Sequence, residues 1–236
     1  MNILKRIFKS SLGKKYLMAV TGFFLFLFVV GHLAGNLQVF LGPEAINRYG
    51  HFLQSNTELL WPVRIILLTF VVLHIWAAAS LSAENKAARP VAYGVYQPVG
   101  SSYASRTMLM SGLIVFVFVV YHILHFTVQV QCINLTGKDF QKFVETTGEA
   151  KRHDIFNMMV VGFRNAWVSG FYILGMALLC LHLSHGASSM FQSTGLKNRA
   201  YGPALDKLAR IVAVLIFLGY CSIPLAILCG YAKEFK

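Results

Sequence analysis

The sequence has little charge. Only 13% of its 236 residues are charged, whereas soluble domains usually carry about 25%, and nine acidic residues stand against 21 Lys and Arg. The chain therefore lacks the polar surface that a water-soluble fold of this size needs to cover its core. This excludes an ordinary soluble globule, a disordered chain and a nucleic-acid binder, whose basic residues cluster on a solvated face.

Cysteine is scarce as well, and it shows no metal-binding pattern. The four cysteines have neither CxxC nor CxxH spacing, which excludes a zinc site and a covalently attached haem of the usual kinds. The chain also has no dinucleotide fingerprint, no P-loop and no cysteine set for an iron–sulfur cluster.

Apolar residues are abundant instead, at 56%, and the mean hydropathy is +0.60. Five apolar runs are long enough to cross about 30 Å of hydrocarbon as helices. The first is too long for a signal peptide and has no A-x-A cleavage site. The predicted fold is an all-α, five-helix transmembrane bundle forming a single domain over residues 1–236. The predicted helices cover residues 16–37, 60–82, 107–130, 166–190 and 208–231.

The distribution of basic residues predicts the orientation in the membrane. With the N-terminus inside, the inner segments carry a net charge of +10 and the outer segments +2, as the positive-inside rule requires. Glu84 and Asp206 are then the two inner acids. The predicted orientation therefore has the N-terminus inside and the C-terminus outside.

The segments between and before the helices have distinct compositions. Residues 1–15 are basic and amphipathic, which predicts that they lie along the inner surface. The outer stretch 131–165 has a soluble-like composition, and we expect a short surface helix over 138–150. Pro62 is expected in the first turn of its helix, where proline is tolerated, and Pro224 is expected to kink the fifth helix.

The most informative polar residues are four histidines, one in each of the first four runs: His32, His74, His122 and His182. A titratable side chain inside a membrane-spanning helix is costly and usually functional. A single one is also explained by a hydrogen bond to a neighbouring helix. Four on consecutive helices favour a shared site.

The sequence places these histidines at two depths. His32 and His122 follow the last basic residue before their runs by 17 and 16 residues, which puts both roughly 25 Å above the inner edge. His74 and His182 follow a tryptophan at the outer edge by 13 and 15 residues, which puts them about 20 and 22 Å below it. The depths predict that His32 pairs with His122 and His74 with His182.

Paired imidazoles from facing helices suit a six-coordinate haem, whose iron takes one nitrogen from each side. Zinc suits them less, since two histidines without a cysteine or carboxylate leave it under-coordinated. The other nitrogen of each ring should find a carbonyl or hydroxyl. His125 and His185 each lie three residues after a proposed ligand, on nearly the same helix face. They remain alternative ligands, propionate partners or members of a proton path.

A family resemblance rests on four stretches in order: GKKYLMAVTGFFLFLFVVGHLAGN, LHIWAA, SGLIVFVFVVYHILHF and FYILGMALLCLHLSHG. Together they resemble the dihaem cytochrome b anchor of the succinate dehydrogenases and fumarate reductases that have a single five-helix anchor. The resemblance covers nearly the whole chain. It implies two b-type haems, bound by His32 with His122 and by His74 with His182. Some relatives carry a Glu, linked to proton transfer, where this chain has Cys180, so that route is not expected here.

The resemblance also implies partners and a location. The chain would be the quinone-reactive subunit of the enzyme in a bacterial cytoplasmic membrane. Electrons would pass between quinone, which the resemblance implies is menaquinone, and an iron–sulfur subunit on the inner face. That subunit serves a flavoprotein, where succinate and fumarate react. The basic inner face, including the loop 83–106, is the expected docking surface.

Similar proteins place the quinone site toward the outer side, beside the haem of His32 and His122. Asn36, Gln38, His51, Glu58 and Arg64 are the polar residues near this level. We predict Asn36, His51 and Glu58 for the site, with His51 and Glu58 able to exchange protons with the quinone.

Two alternatives remain open. One is the dihaem quinone-linked anchor of another oxidoreductase, such as a formate dehydrogenase, hydrogenase or nitrate reductase. The other is a proton-coupled transporter whose intramembrane histidines form a relay.

Overall fold

The computed structural model describes residues 7–89, 91, 102–147 and 150–232. It is 82% helical, and five helices in the described part of the chain are long and apolar enough to cross a membrane. The predicted fold class, an all-α membrane protein with five spans, is confirmed.

The five membrane-spanning helices are α1 (Ser11–Asn36), α3 (Thr57–Ala87), α5 (Met108–His122), α7 (Ala166–Ser193) and α8 (Gly202–Leu228). When the π-helical turn that follows α5 is counted with it, the ends of the spans differ from the predicted ones by at most six residues. A π-helical turn, Ile123–Thr127, extends α5. The elements in chain order are α1 Ser11–Asn36, α2 Pro43–Ser55, α3 Thr57–Ala87, α4 Tyr103–Arg106, α5 Met108–His122, β1 Val144–Thr147, β2 Ala150–His153, α6 Ile155–Arg164, α7 Ala166–Ser193 and α8 Gly202–Leu228.

The surface of the spans is apolar. Only 11% to 33% of the residues in the most apolar stretch of each span are buried inside the protein. Large side chains such as Phe24, Leu68 and Leu215 are exposed. Contiguous exposed apolar surface of this kind is typical of helices that face lipid.

The two prolines for which the sequence made a prediction, Pro62 and Pro224, both lie inside helices. Pro224 lies within α8, as expected. The prediction for Pro62 is wrong, because α3 begins at Thr57 and Pro62 therefore lies beyond its first turn.

The chain divides into two compact units, and each contains parts of all five spans. The first unit comprises Met1–Val29, Val63–Gly112 and Leu181–Ala213, and the second comprises Val30–Pro62, Leu113–Cys180 and Val214–Lys236.

Small residues line the buried helix faces of the first unit. Ala19, Thr21, Ala77 and Ala213 are all buried, and small side chains allow membrane helices to approach closely.

Both of the acids predicted for the inner side form ion pairs within the first unit. Glu84 pairs with Lys14, whose side chain is almost fully buried, and Asp206 pairs with Lys197 at 2.6 Å. Ser188 also donates a hydrogen bond to Asp206. Pairing lowers the cost of charge at the ends of membrane helices.

The second unit has a core of larger side chains. Phe118 of α5 packs with residues of α6, α7 and α8, among them Phe163, Met176 and Ile223. The 3₁₀ turn Leu37–Leu41 that follows α1 contributes the fully buried Val39 to the same core.

A polar layer in the second unit connects α2 to the chain before α6. Asn47 of α2 is fully buried, and its amide nitrogen donates to Glu145 at 2.8 Å and to Asp154 at 3.1 Å. Its amide oxygen accepts from the backbone N–H of Phe156 at 2.9 Å. Every polar atom of this amide group therefore has a partner, which buried polar groups require.

The predicted surface helix over 138–150 is wrong. The described residues there form a 3₁₀ turn, Phe140–Lys142, and then the strand β1, which pairs antiparallel with β2. Glu145 lies opposite Arg152 in this hairpin, and the two side chains form a salt bridge at 2.9 Å. Cross-strand ion pairing and the β-branched side chains of β1 favour the extended conformation.

Two sequence-based predictions fall partly outside the described residues. Residues 1–6 of the basic N-terminal segment lie outside the described residues. Residues 7–9 are helical and precede a bend at Ser10. Residues 90 and 92–101 of the loop expected to form the docking surface lie outside as well.

We expect Glu44→Gln to lower stability at neutral pH but not at acidic pH. Its hydrogen bond and charge pairing with Arg152 hold the pKa of Glu44 below its ordinary value. A carboxyl with a lowered folded-state pKa stabilises the fold above its unfolded pKa, about 4.3, and loses that contribution as the pH falls through the folded pKa. The measurement is the apparent unfolding temperature of both proteins in detergent, from about pH 7 to pH 3.

The effect of Glu44→Gln should be small, because Glu44 is largely exposed, and added salt should reduce it. A difference between the two proteins that stays constant with pH would contradict this role of the ion pair.

Candidate functional site

The four predicted histidines form two pairs. In the second unit, His32 of α1 and His122 at the end of α5 have ring centroids 5.7 Å apart. In the first unit, His74 of α3 and His182 of α7 have ring centroids 6.4 Å apart. These are the pairs that the depths predict. With a metal–imidazole bond of about 2 Å, two imidazoles on opposite sides of one metal have ring centroids roughly 6 Å apart.

His74 lies against a threonine and a glycine of α1. Its Nδ1 is 3.1 Å from Oγ1 of Thr21, and that hydroxyl donates to the carbonyl of Leu17 at 2.8 Å. Because the hydroxyl proton is already used, we assign the imidazole proton to Nδ1, which donates to Thr21. Nε2 then carries the lone pair that a metal needs. A Cβ at Gly22 would lie only 3.1 Å from Cε1 of His74, so glycine makes room for the ring.

His182 lies against α5 in the same way. Its Nδ1 is 3.4 Å from Oγ of Ser111, which donates to the carbonyl of Met108 at 3.2 Å. A Cβ at Gly112 would lie 3.4 Å from Cε1 of His182. A hydroxyl residue followed by glycine thus faces each imidazole of this pair.

His122 has the third hydroxyl partner, since its Nδ1 lies 3.3 Å from Oη of the buried Tyr172 in α7. Three of the four imidazoles therefore have the hydroxyl expected at the ring nitrogen that does not bind a metal. The fourth, His32, lies near the ring of Tyr220, at 6.3 Å between centroids. Beside it, a Cβ at Gly31 would meet no atom within 4 Å.

The two competing histidines have different surroundings. His125 is fully buried, with Nδ1 at 2.9 Å from Tyr172, and its ring packs on Phe126 and Phe140. His185 lies close enough to Lys197 and Asp206 to interact with their charges. The geometry therefore favours His122 and His182 as members of the pairs, although ligation itself remains a prediction.

The donor set fits haem. In the part of the chain that the structure describes, no group of three or more His, Cys, Asp or Glu side chains is placed to hold a metal ion. Two imidazoles are too few for a zinc site, but they suit an iron that already has four nitrogen ligands from a porphyrin. Hydroxyl partners at Nδ1 leave Nε2 available at His74, His122 and His182.

The predicted quinone residues all belong to the second unit. Asn36 is the last residue of α1 and donates to the carbonyl of His32 at 2.8 Å. His51 of α2 and Glu58 in the first turn of α3 are exposed.

A groove of about 350 Å³ lies beside α2, and Gln38 is the member of the predicted polar set that lines it. Asn36, His51 and Glu58 are not among its lining residues. The other residues that line it are Ala45, Arg48, Tyr49 and Phe52.

No protein-family model, curated protein or solved structure matches this chain.

Sequence reasoning missed three residues of the site, namely Thr21, Ser111 and Tyr172. A signal for two of them is present in the sequence. Thr21-Gly22 precedes His32 by eleven residues, and Ser111-Gly112 precedes His122 by the same number. Eleven residues are about three helical turns, so each dipeptide lies on the same helix face as the histidine that follows it.

Proposed function

We propose that this chain is the dihaem cytochrome b anchor of a succinate:quinone oxidoreductase. His32 and His122 would hold one b-type haem, and His74 and His182 the other. The observation that carries the proposal is the presence of two separate imidazole pairs on membrane-spanning helices. The sequence motifs around the four histidines favour this family over the other dihaem anchors.

The residues of the chain have defined tasks under this proposal. Bound haem supplies a one-electron carrier within the membrane. The four imidazoles would hold the two haem irons, and the hydroxyls of Thr21 and Ser111 would keep the Nδ1 protons of His74 and His182 in place. The apolar spans exclude water from both sites.

The proposed location is a bacterial cytoplasmic membrane, with the N-terminus in the cytoplasm and the C-terminus outside. The iron–sulfur and flavoprotein subunits would bind at the basic inner face. Quinone, most simply menaquinone, would react on the outer side, near His32 and His122. His51 and Glu58, which are exposed, would exchange protons with the quinone there.

An optical spectrum of the purified full chain tests the proposal. We expect a reducible low-spin b-type spectrum and two haems per chain by the pyridine haemochrome assay. The absence of haem would contradict the proposal and favour the histidine-relay transporter. One haem per chain would contradict the assignment of four ligands.

The partners test the family. In the complex isolated from its native membrane, succinate should reduce the haems, and a flavoprotein should co-purify. If formate or hydrogen reduces the haems and succinate does not, the chain is a related anchor of another oxidoreductase.

A further inference from the structure

Tyr172 lies between two histidines in the second unit. Its Oη is 3.3 Å from Nδ1 of His122 and 2.9 Å from Nδ1 of His125. Tyr172 is 7% exposed and His125 is fully buried, so water does not readily replace either contact. The three side chains form a buried chain of hydrogen bonds.

A π-helical turn places His125 in this chain. The turn begins directly after His122, and the N–H of Val128 donates to the carbonyl of Ile123, five residues earlier. Turns of this kind within α-helices are rare and frequent at functional sites. Here the turn contains His125, which contacts the same phenol as His122.

The number of protons fixes the direction of the hydrogen bonds. An imidazole that binds a metal through Nε2 must carry its proton on Nδ1, so His122 donates to Tyr172. Tyr172 has one proton of its own, and Nδ1 of His125 is the near acceptor for it. In the opposite direction Tyr172 would donate to His122, whose Nε2 would then be protonated and unable to bind iron.

The remaining proton of neutral His125 lies on Nε2. Among the described residues, this is the buried side-chain polar atom without a hydrogen-bond partner. A buried donor without an acceptor destabilises the fold. A group maintained at this cost in a fully buried position calls for a functional explanation.

We infer that Tyr172, itself oriented by His125, is the positioning residue that fixes the ring orientation and tautomer of His122 as an axial ligand. The inference rests on the proposed haem site and extends it to a residue that contacts no metal. A hydrogen bond from Nδ1–H makes a ligating imidazole more basic, and a more basic ligand favours the oxidised iron.

The test compares Tyr172→Phe with Tyr121→Phe in the full-length protein. Both substitutions remove one hydroxyl from the same aromatic cluster. The hydroxyl of Tyr121 donates to the carbonyl of Ile133 at 3.3 Å and does not contact His122. The readouts are the midpoint potentials of the two haems, their low-spin electron paramagnetic resonance signals, and the rate of haem transfer to apomyoglobin.

We expect Tyr172→Phe to raise the midpoint potential of one haem and to leave the other unchanged. The affinity of this site for haem should also fall about 10–100-fold, as for other lost partners of metal-binding histidines, and transfer of this haem to apomyoglobin should be correspondingly faster. Tyr121→Phe should match the wild type. Loss of one haem in Tyr172→Phe, with both retained in Tyr121→Phe, would also support the inference.

Unchanged potentials and haem transfer in Tyr172→Phe would overturn the inference and leave the proposed function intact. Equal effects of the two substitutions would overturn it as well, because they would indicate a general packing role. A wild-type protein without haem would instead overturn the proposed function, and the inference with it.

Discussion

Replacement of His182 by alanine is expected to reduce the haem content from two per chain to one. The substitution removes one of the two imidazoles of the first unit, whose ring centroids are 6.4 Å apart. A haem that only His74 could hold would lack one of its two protein ligands, so we expect it to dissociate. The pair formed by His32 and His122 should keep its haem, because neither residue is changed. The measurement is the haem content together with the low-spin b-type spectrum.

His185→Ala is the matched control for this experiment. His185 lies three residues further along α7, near the ion pair of Lys197 with Asp206. The control should keep both haems. If His185→Ala lost a haem and His182→Ala did not, His185 would be the ligand. Haem added together with imidazole should restore the second haem and its low-spin spectrum in His182→Ala, which distinguishes a lost ligand from a lost fold.

The spans were predictable because the membrane imposes a simple rule on the sequence. Every backbone polar group must be paired within lipid, and this favours long uninterrupted apolar helices. The predicted and observed ends of the helix with His182 agree within three residues. The helix with Pro224 begins six residues earlier than predicted, since its first turns are polar and hydropathy alone does not mark them.

The hairpin was not predictable by the same rule. Residues 138–150 are polar, and polarity alone indicates only a surface location. A signal of the strands was present in the β-branched residues of β1, Val144, Thr146 and Thr147, followed by Gly148. The salt bridge between Glu145 and Arg152 joins the two strands and stabilises the hairpin. A helix prediction made from residues 138–150 alone does not include Arg152.

The histidines of the site could be found from sequence, but most of their partners could not. Four imidazoles in apolar runs stand out because titratable groups are rare there. Thr21, Ser111 and Tyr172 do not stand out, because hydroxyl residues are ordinary in membrane helices. Only the fold shows which hydroxyl faces which ring. The eleven-residue spacing shared by Thr21–His32 and Ser111–His122 becomes meaningful once His74 and His182 are seen against those hydroxyls.

The second large effect is expected from Asn47→Asp, which should destabilise the polar layer of the second unit by about 3 kcal/mol or more at neutral pH. The buried amide nitrogen donates to Glu145 and Asp154. In the variant an oxygen replaces this donor, and three carboxylates meet where there were two. Arg152 is already paired with Glu145, so it does not replace the donor that Asp154 loses. The apparent unfolding temperature in detergent should fall by the order of 10 °C.

Asn56→Asp provides the same chemical change at an exposed position just before α3. It removes the hydrogen bond from the amide nitrogen of Asn56 to the carbonyl of Phe52 at 2.6 Å. The unfolding temperature should nevertheless change much less than in Asn47→Asp, because water can replace an exposed partner and aspartate is favoured directly before a helix. The deficit of Asn47→Asp should shrink as the pH falls from about 7 to 5, because burial beside two carboxylates raises the pKa of the new carboxyl above that of the unfolded chain. The protonated carboxyl again donates a hydrogen bond. A deficit that does not change with pH would indicate a loss of packing, and would contradict charge repulsion as its cause.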